Sequence, residues 1–484
     1  MKRSNLTILK LKEWFNDSSD IVVQTKFYPS RILTHSLAFL FCPNLVDTKV
    51  INENILPNIN EAMEKERTLR IEHINFLLGV SKLSNDGNIK YEIEQRLFSG
   101  ELVILNEETN DVFFIPVSNA PKRSPEETNL ESSVRGPRDG FVENISDNMA
   151  LIRQRLKTST LKSVDYTIGE RSKTKILLLY IEDIINPSIL DDVQGRLKSF
   201  TIDVLNSSNQ LEEMLYDNSF SIFPLMDYAG RPDLIVDALN QGRFAILVDG
   251  NPSCLIGPTA LIQLSYSPED VHNSFFYTSF VRLLRLSAIV TTVLLPGFYI
   301  ALITHQTEQI PYNLLATLAA SRSGLPLSGS MEAFIMLTLF ELFKEAGLRL
   351  PKAVGQTVAV LGGLIIGDAA IRAGLTSPAM LVVISITVIS GYTLINQNLG
   401  GNLLMIRYFV LTLSSLFGMY GFFLSFFIIL THAISLESFG QPFVPIFAFP
   451  NMANILQMII KLPPKLLKKR NLVFQPKDTT RQKE

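Results

Sequence analysis

The 484-residue chain is poor in cysteine, tryptophan and histidine, with two, one and five residues respectively. Two cysteines, Cys42 and Cys254, cannot build a disulfide framework, and their apolar contexts read as buried reduced thiols. The histidines His35, His73, His272, His305 and His432 are scattered, and none has metal-ligand spacing to another. No GxxxxGKS/T phosphate loop, HExxH, GxSxG, CxxC or GxGxxG occurs. The chain therefore advertises no enzyme active site and no metal or cofactor. Its N-terminus has no apolar stretch ahead of its acidic residues, which argues against a signal peptide and predicts a cytoplasmic first part.

Charge is missing from one region. Residues 286–460 carry only six basic and six acidic residues. Residues 1–285 have a net charge of −8 and residues 461–484 one of +6, so the overall −2 hides three compartments. The large polar part is acidic, which excludes nucleic acid as an expected partner.

The uncharged runs are long. Leu286–Thr304, Leu375–Ile395 and Tyr408–Thr431 contain 19, 21 and 24 residues, and about 20 apolar residues cross a bilayer's hydrocarbon core. Residues 353–371 form a weaker fourth candidate, with two stripes at four-residue spacing. Ala359, Gly363 and Gly367 make a small-residue packing face. Gln356, Val360, Leu364 and Asp368 are polar at the ends and apolar between, the pattern of a water-lined path with a hydrophobic constriction. A packed helix with polar ends at the interfaces is the alternative.

Arg282, Arg285 and the basic tail predict that both ends face the cytoplasm. An even number of crossings follows, namely 286–304, 353–371, 375–395 and 408–431, with Arg407 outside. Residues 312–350 are expected to be interfacial or re-entrant, because Glu332, Glu341, Lys344 and Glu345 interrupt them. Glu332, Glu341 and Glu345 are candidate pore-mouth carboxylates that attract cations; a solvated helix face is the bland reading. The tail is read as a topology signal with weak affinity for membrane lipid.

The polar part contains an internal repeat. Residues 36–47 (SLAFLFCPNLVD) resemble 175–186 (KILLLYIEDIIN), and 97–105 (LFSGELVIL) resemble 239–247 (LNQGRFAIL). The expected architecture is two related α/β lobes, 1–130 and 165–275, followed by an α-helical polytopic membrane domain, 276–460, and a basic tail, 461–484. Gly100 and Gly242 are expected in helix-to-strand turns that need φ > 0. Residues 131–164 form an inter-lobe hinge, in which Arg135, Gly136, Pro137, Arg138, Asp139 and Gly140 suit either an anion-binding nest or an arginine bridge between lobes. Asp147 or Asn148 is expected to cap the helix that follows.

Five segments carry a family resemblance: VRGPRDGF (134–141), NMALIRQRL (148–156), LPGFYIALITHQTEQIP (295–311), LFKEAGLRLPKAVGQTVAVLGGLIIGDAAIRAGLTSPAM (342–380) and NLGGNLLMIRY (398–408). They resemble the A subunit of the GerA-type spore germinant receptors. A related spore-membrane protein, encoded with the dipicolinic-acid channel genes, shares much of the pattern. The resemblance implies residence in the spore inner membrane. It implies work with a transporter-like B subunit and a lipoprotein C subunit, and assembly of a homo-oligomeric ring that conducts monovalent cations when nutrient is sensed. A non-conducting signalling receptor remains the competing class.

Overall fold

The computed structural model describes residues 6–28, 35–66, 80–83, 89–119, 136–350, 367–448 and 452–481. Two antiparallel five-stranded sheets build the polar part. The first contains β1 (Val22–Tyr28), β2 (His35–Phe41), β3 (Ser81–Lys82), β4 (Glu101–Asn106) and β5 (Asp111–Pro116), in the order β1-β2-β4-β5-β3. The second contains β6 (Leu161–Ile168), β7 (Thr174–Ile181), β8 (Asp227–Ala229), β9 (Phe244–Val248) and β10 (Cys254–Gly257), in the order β6-β7-β9-β10-β8. The two orders are the same permutation.

Successive residues of a strand face opposite sides, and here both sides are covered. Leu177, Leu179, Ala245 and Leu247 enter one core of the second lobe, while Ile176, Leu178, Ile246 and Val248 enter another. Double coverage explains why these strands read as unbroken apolar runs. The repeat extends to the turns. Gly100 (φ 86°) and Gly242 (φ 85°) both adopt the left-handed conformation, and their N–H groups donate to Leu97 O and Leu239 O at 3.1 Å. Asp47 and Asn186, matching positions of the repeat, each cap the helix that follows.

The hinge contains part of the second lobe. Helix α1 (Ile145–Arg155) buries Ile145, Met149 and Ile152 in that lobe's core, and β6 starts ahead of the expected boundary at 165. The cap of α1 is Asn144, which accepts from Ser146 N, and not Asp147 or Asn148. Asn148 is buried and bonds both Val142 N and Val142 O. An arginine does bridge the lobes, but it is Arg153. Its fully buried guanidinium grips Asp20 at 2.8 and 2.9 Å, bonds Thr158 O and Leu161 O, and lies over the Phe98 ring. Burial of Asp20 opposes ionisation, but Arg153 wins and keeps its carboxyl below the usual range.

The apolar part is a helical bundle whose two ends are chemically distinct. Helix α2 (Phe275–Thr304) starts at the lobes, where Arg282 and Arg285 bind Asp270. Helices α3 (Tyr312–Arg322) and α4 (Gly329–Arg349) follow. At the start of α4, Gly329 lies against Ile303 near the far end of α2, and the other end of α4 returns to the lobes. Residues 312–350 are therefore not wholly interfacial: α4 runs the length of the bundle. Glu332 is buried against protein partners, Glu341 and Lys344 are half-buried and paired, and Glu345 is exposed and pairs with Arg349. Helix α5 (Pro378–Tyr392) also runs from the far end towards the lobes.

Helix α6 (Gln397–Ser435) starts at the lobes and breaks at Gly418 (φ 62°, ψ −137°). Gly418 packs against His305, and Met419 N donates to Gln306 Oε1 at 3.0 Å, so the break lies at the far end. Beyond Ser435 the chain is back at the lobes, where Ser438 Oγ donates to Leu225 O. The run 408–431 is thus a hairpin and not one crossing. Each arm is about 17–21 residues, or roughly 26–32 Å at 1.5 Å per residue. Among the described residues, α2 and the broken α6 are long and apolar enough to cross a membrane.

The basic tail is bound to protein. Val473 and Phe474 are buried beside Ala260 and Ile262, and Arg470 Nε donates to Asn240 O. Lys477 N donates to Ile184 O at 2.8 Å, as Asn119 N does to Leu45 O in the first lobe. Ile184 and Leu45 are matching positions of the repeat, so the tail supplies to the second lobe an edge that the first supplies itself.

Two outcomes follow from these contacts. Asp20→Asn strands the Arg153 charge and should cost about 3–5 kcal/mol, read as a lower unfolding temperature of the purified chain. Gly418→Ala forces a side chain into a left-handed position 2.6 Å from the His305 Cβ. It should cost about 2 kcal/mol or more, whereas Gly347→Ala, in open space on α4, should be neutral or slightly stabilising in the same assay.

Candidate functional site

The lobes and the bundle meet in one apolar cluster. Phe223 and Leu225 of the second lobe pack with Val293 of α2, Leu399, Leu403 and Ile406 of α6, and Phe443 beyond it. A polar pair is buried in this contact. Asn396, the cap of α6, accepts from Leu399 N and donates through Nδ2 to Asp227 Oδ1 of β8 at 2.9 Å. Tyr228 OH accepts from Gln397 N at 3.2 Å. The first turn of α6 is thus fixed by side chains of the second lobe.

Carboxyl groups behind this contact are pushed towards their neutral forms. Burial raises the Asp227 carboxyl, with Arg243 opposing. Burial also raises Glu212 to about 7, although the Tyr216 hydroxyl donates to it at 2.5 Å, and the Asp227 charge adds to the shift.

Beside the junction lies a cavity of about 670 Å³. Its walls come from Ser267 and Pro268 of the second lobe, Glu341, Lys344 and Glu345 of α4, Tyr392 of α5, and Gln397, Gly400, Gly401 and Arg407 of α6. Lys344 Nζ donates to Glu341 at 3.0 Å, and Arg349 donates to Glu345 at 2.8 and 3.1 Å. Arg407 shares this cavity with lobe residues, so it lies at the lobe end of the bundle, whereas the crossing count placed it at the end away from the lobes. Among the described residues no group of His, Cys, Asp and Glu side chains is arranged to hold a metal ion.

Comparison with known proteins gives this architecture a family. The model of the Bacillus/Clostridium GerA spore germination protein family matches residues 9–473. The chain belongs to the GerA family of spore germination proteins. It is 40% identical to Spore germination protein XA of Bacillus anthracis, with 100% of this chain and 99% of that one aligned. It is 34% identical to Spore germination protein B1 of Bacillus subtilis over 98% of this chain and 97% of the other. The crystal structure of the N-terminal domain of the A subunit of the Bacillus megaterium spore germinant receptor GerK3 matches with a TM-score of 0.40 at 25% identity, covering 53% of this chain and 95% of that one.

In this GerA-family chain the residues singled out from the sequence are dispersed. Gln356, Val360 and Leu364, together with Ala359, Gly363 and Arg135, lie outside the described residues. Asp368 is exposed and pairs with Arg372 at 2.8 Å. Gly367 is buried and faces Leu381 of α5, where an added Cβ would come within 3.2 Å. The three carboxylates of α4 do not meet, because nine residues of helix separate Glu332 from Glu341 by about 14 Å. Glu332 is fully buried at the far end. Its Oε1 accepts from Ser377 N (2.6 Å), Ser377 Oγ (2.8 Å) and Thr376 Oγ1 (2.9 Å), fastening the start of α5 to the start of α4.

The hinge residues form a strap across the second lobe. Gly136 lies against Arg231 and His272, where any side chain would clash, and Asp139 pairs with Arg155 at 2.8 Å. Phe141 N donates to Gly230 O at 2.8 Å. Pro137 and Gly140 complete the strap, and Arg138 is exposed along it. Sequence reasoning missed Asp227 and Asn396. Their one local signal is the amide ahead of α6, an ordinary cap residue.

Glu212 makes the junction pH-dependent. The folded state binds this proton more tightly than the unfolded chain, whose carboxyl titrates near 4.5. The stabilisation is full below about 4.5 and is lost as pH rises through about 7. Glu212→Gln should therefore flatten the fall in unfolding temperature between pH 5 and pH 8, and should stabilise the chain most at pH 8.

Proposed function

We propose that the chain is the A subunit of a nutrient germinant receptor of bacterial spores, resident in the spore inner membrane as a multi-pass protein with both termini on the core side. The observation that carries this reading is the match of the GerA family along 9–473, joined to two helices long enough to cross a bilayer. Among the described residues, α2, α4, α5 and the two arms of α6 run along the bundle, which fits a multi-pass protein.

In this reading, copies of the chain form a ring that conducts monovalent cations. The stripe Gln356, Val360, Leu364 and Asp368 lines the path, and Val360 and Leu364 form its constriction. A transporter-like B subunit binds nutrient and a lipoprotein C subunit completes the receptor. Movement of the lobes reaches the helices through the first turn of α6, which Asp227 and Tyr228 fix.

Potassium flux from liposomes that contain the receptor, with and without nutrient, tests the proposal. Val360→Ala and Leu364→Ala should raise the basal leak several-fold, and a ring should be captured by cross-linking. Wild-type flux at background level with nutrient present would leave a non-conducting signalling role. Unchanged leak in both variants would remove that stripe from the gate.

A further inference from the structure

Arg407 is a buried cation of the cavity that meets its carboxylate, Glu341, only at ion-pair distance. It is 4% exposed. Its closest carboxylate contact is Glu341 Oε2 at 3.7 Å, beyond hydrogen-bond length, and its Nε has no hydrogen-bond partner among the described residues. Glu341 already accepts from Lys344, and Glu345 from Arg349. Burying a guanidinium without an acceptor is costly, and a planar carboxylate matches its donor fork.

The surroundings point the same way. Val388, Tyr392 and Leu404 supply apolar wall, which suits an organic anion better than an inorganic one. The volume of about 670 Å³ lies within the range of small-molecule sites. At Gly400 and Gly401 nothing lies within 4 Å of where a Cβ would be. The helix therefore presents bare backbone to open space on the cavity side.

We propose that this cavity binds a small organic carboxylate, its charge held by Arg407 and its body by the apolar wall beside the bare backbone of Gly400 and Gly401. The occupant joins α4 to α6 next to the contact with the second lobe, so its binding stiffens the junction. The proposal does not depend on ion conduction or on nutrient recognition by a partner.

The test uses the full-length chain in lipid nanodiscs, with radiolabelled benzoate as probe and equilibrium dialysis as readout. Benzoate should bind saturably at about one per chain. Benzamide has the same shape without the charge, and sulfate has charge without the apolar body. Each should compete at least about tenfold more weakly. Arg407→Gln and Gly401→Leu should each weaken benzoate binding by at least about tenfold. If Arg407→Gln does not fold, Gly401→Leu decides, since its side chain enters open space. Absence of saturable benzoate binding to the wild type would overturn the proposal. So would equal competition by benzamide or sulfate, or wild-type affinity in Gly401→Leu.

Discussion

The hydrogen bond from Asn396 to Asp227 constrains the whole molecule, because it is buried where the two halves of the chain meet. The apolar cluster around it supplies the driving force for docking, but apolar contact tolerates sliding. A buried polar pair does not, since a shift of a few tenths of a nanometre leaves both groups desolvated and unbonded. Asn396 also caps α6, so the bond that orients the second lobe also fixes the first turn of α6. A rotation of that lobe has to carry α6 with it or break the pair.

Other contacts extend this coupling outward. Arg153 ties the first lobe to the second through Asp20, in direct contact at 2.8 Å with both side chains buried. Lys461 donates to the carbonyls of Asp270, Val271 and Asn273, and Asp270 also receives Arg282 and Arg285 from the start of α2. The tail, the second lobe and the first bundle helix thus converge on one acidic residue. At the opposite end, Glu332 fastens α4 to α5 and Gln306 fastens α2 to the break in α6. The bundle is fixed at both ends by polar side chains, and between them it is mainly apolar, with Thr292, Thr387 and Ser414 buried among its helices.

The repeat was legible in the sequence because its signals are local. Leu97-x-x-Gly100 and Leu239-x-x-Gly242 recur at similar distance from strands of the same pattern, and the glycines meet the same backbone need. The hairpin of α6 was not legible. A single glycine within an apolar run is ordinary in a membrane helix, and the polar groups that receive the break, His305 and Gln306, lie more than a hundred residues away. Helix α4 was misread for a similar reason. Its four charges argue against a traverse until their partners are known, and those of Glu332 and Glu341 (Arg322, Ser377 and Arg407) lie outside α4. The Arg153–Asp20 and Asn396–Asp227 pairs are separated by 133 and 169 residues, so no spacing rule reaches them. The pore stripe at 356–364 falls outside the described residues and remains a reading of the sequence.

That the lobes and the bundle move as one body through the junction is open to direct measurement. The native thiols are poor targets for labelling, since burial pushes Cys42 up to about 12 and raises Cys254 as well. Spin labels can therefore be placed at Asp191→Cys on the second lobe and Met405→Cys on α6, both exposed. Double electron–electron resonance on the full-length chain in nanodiscs should give one narrow distance distribution, and Asn396→Leu should broaden it. A broad distribution in the otherwise wild-type chain, or an unchanged narrow one in Asn396→Leu, would contradict the account.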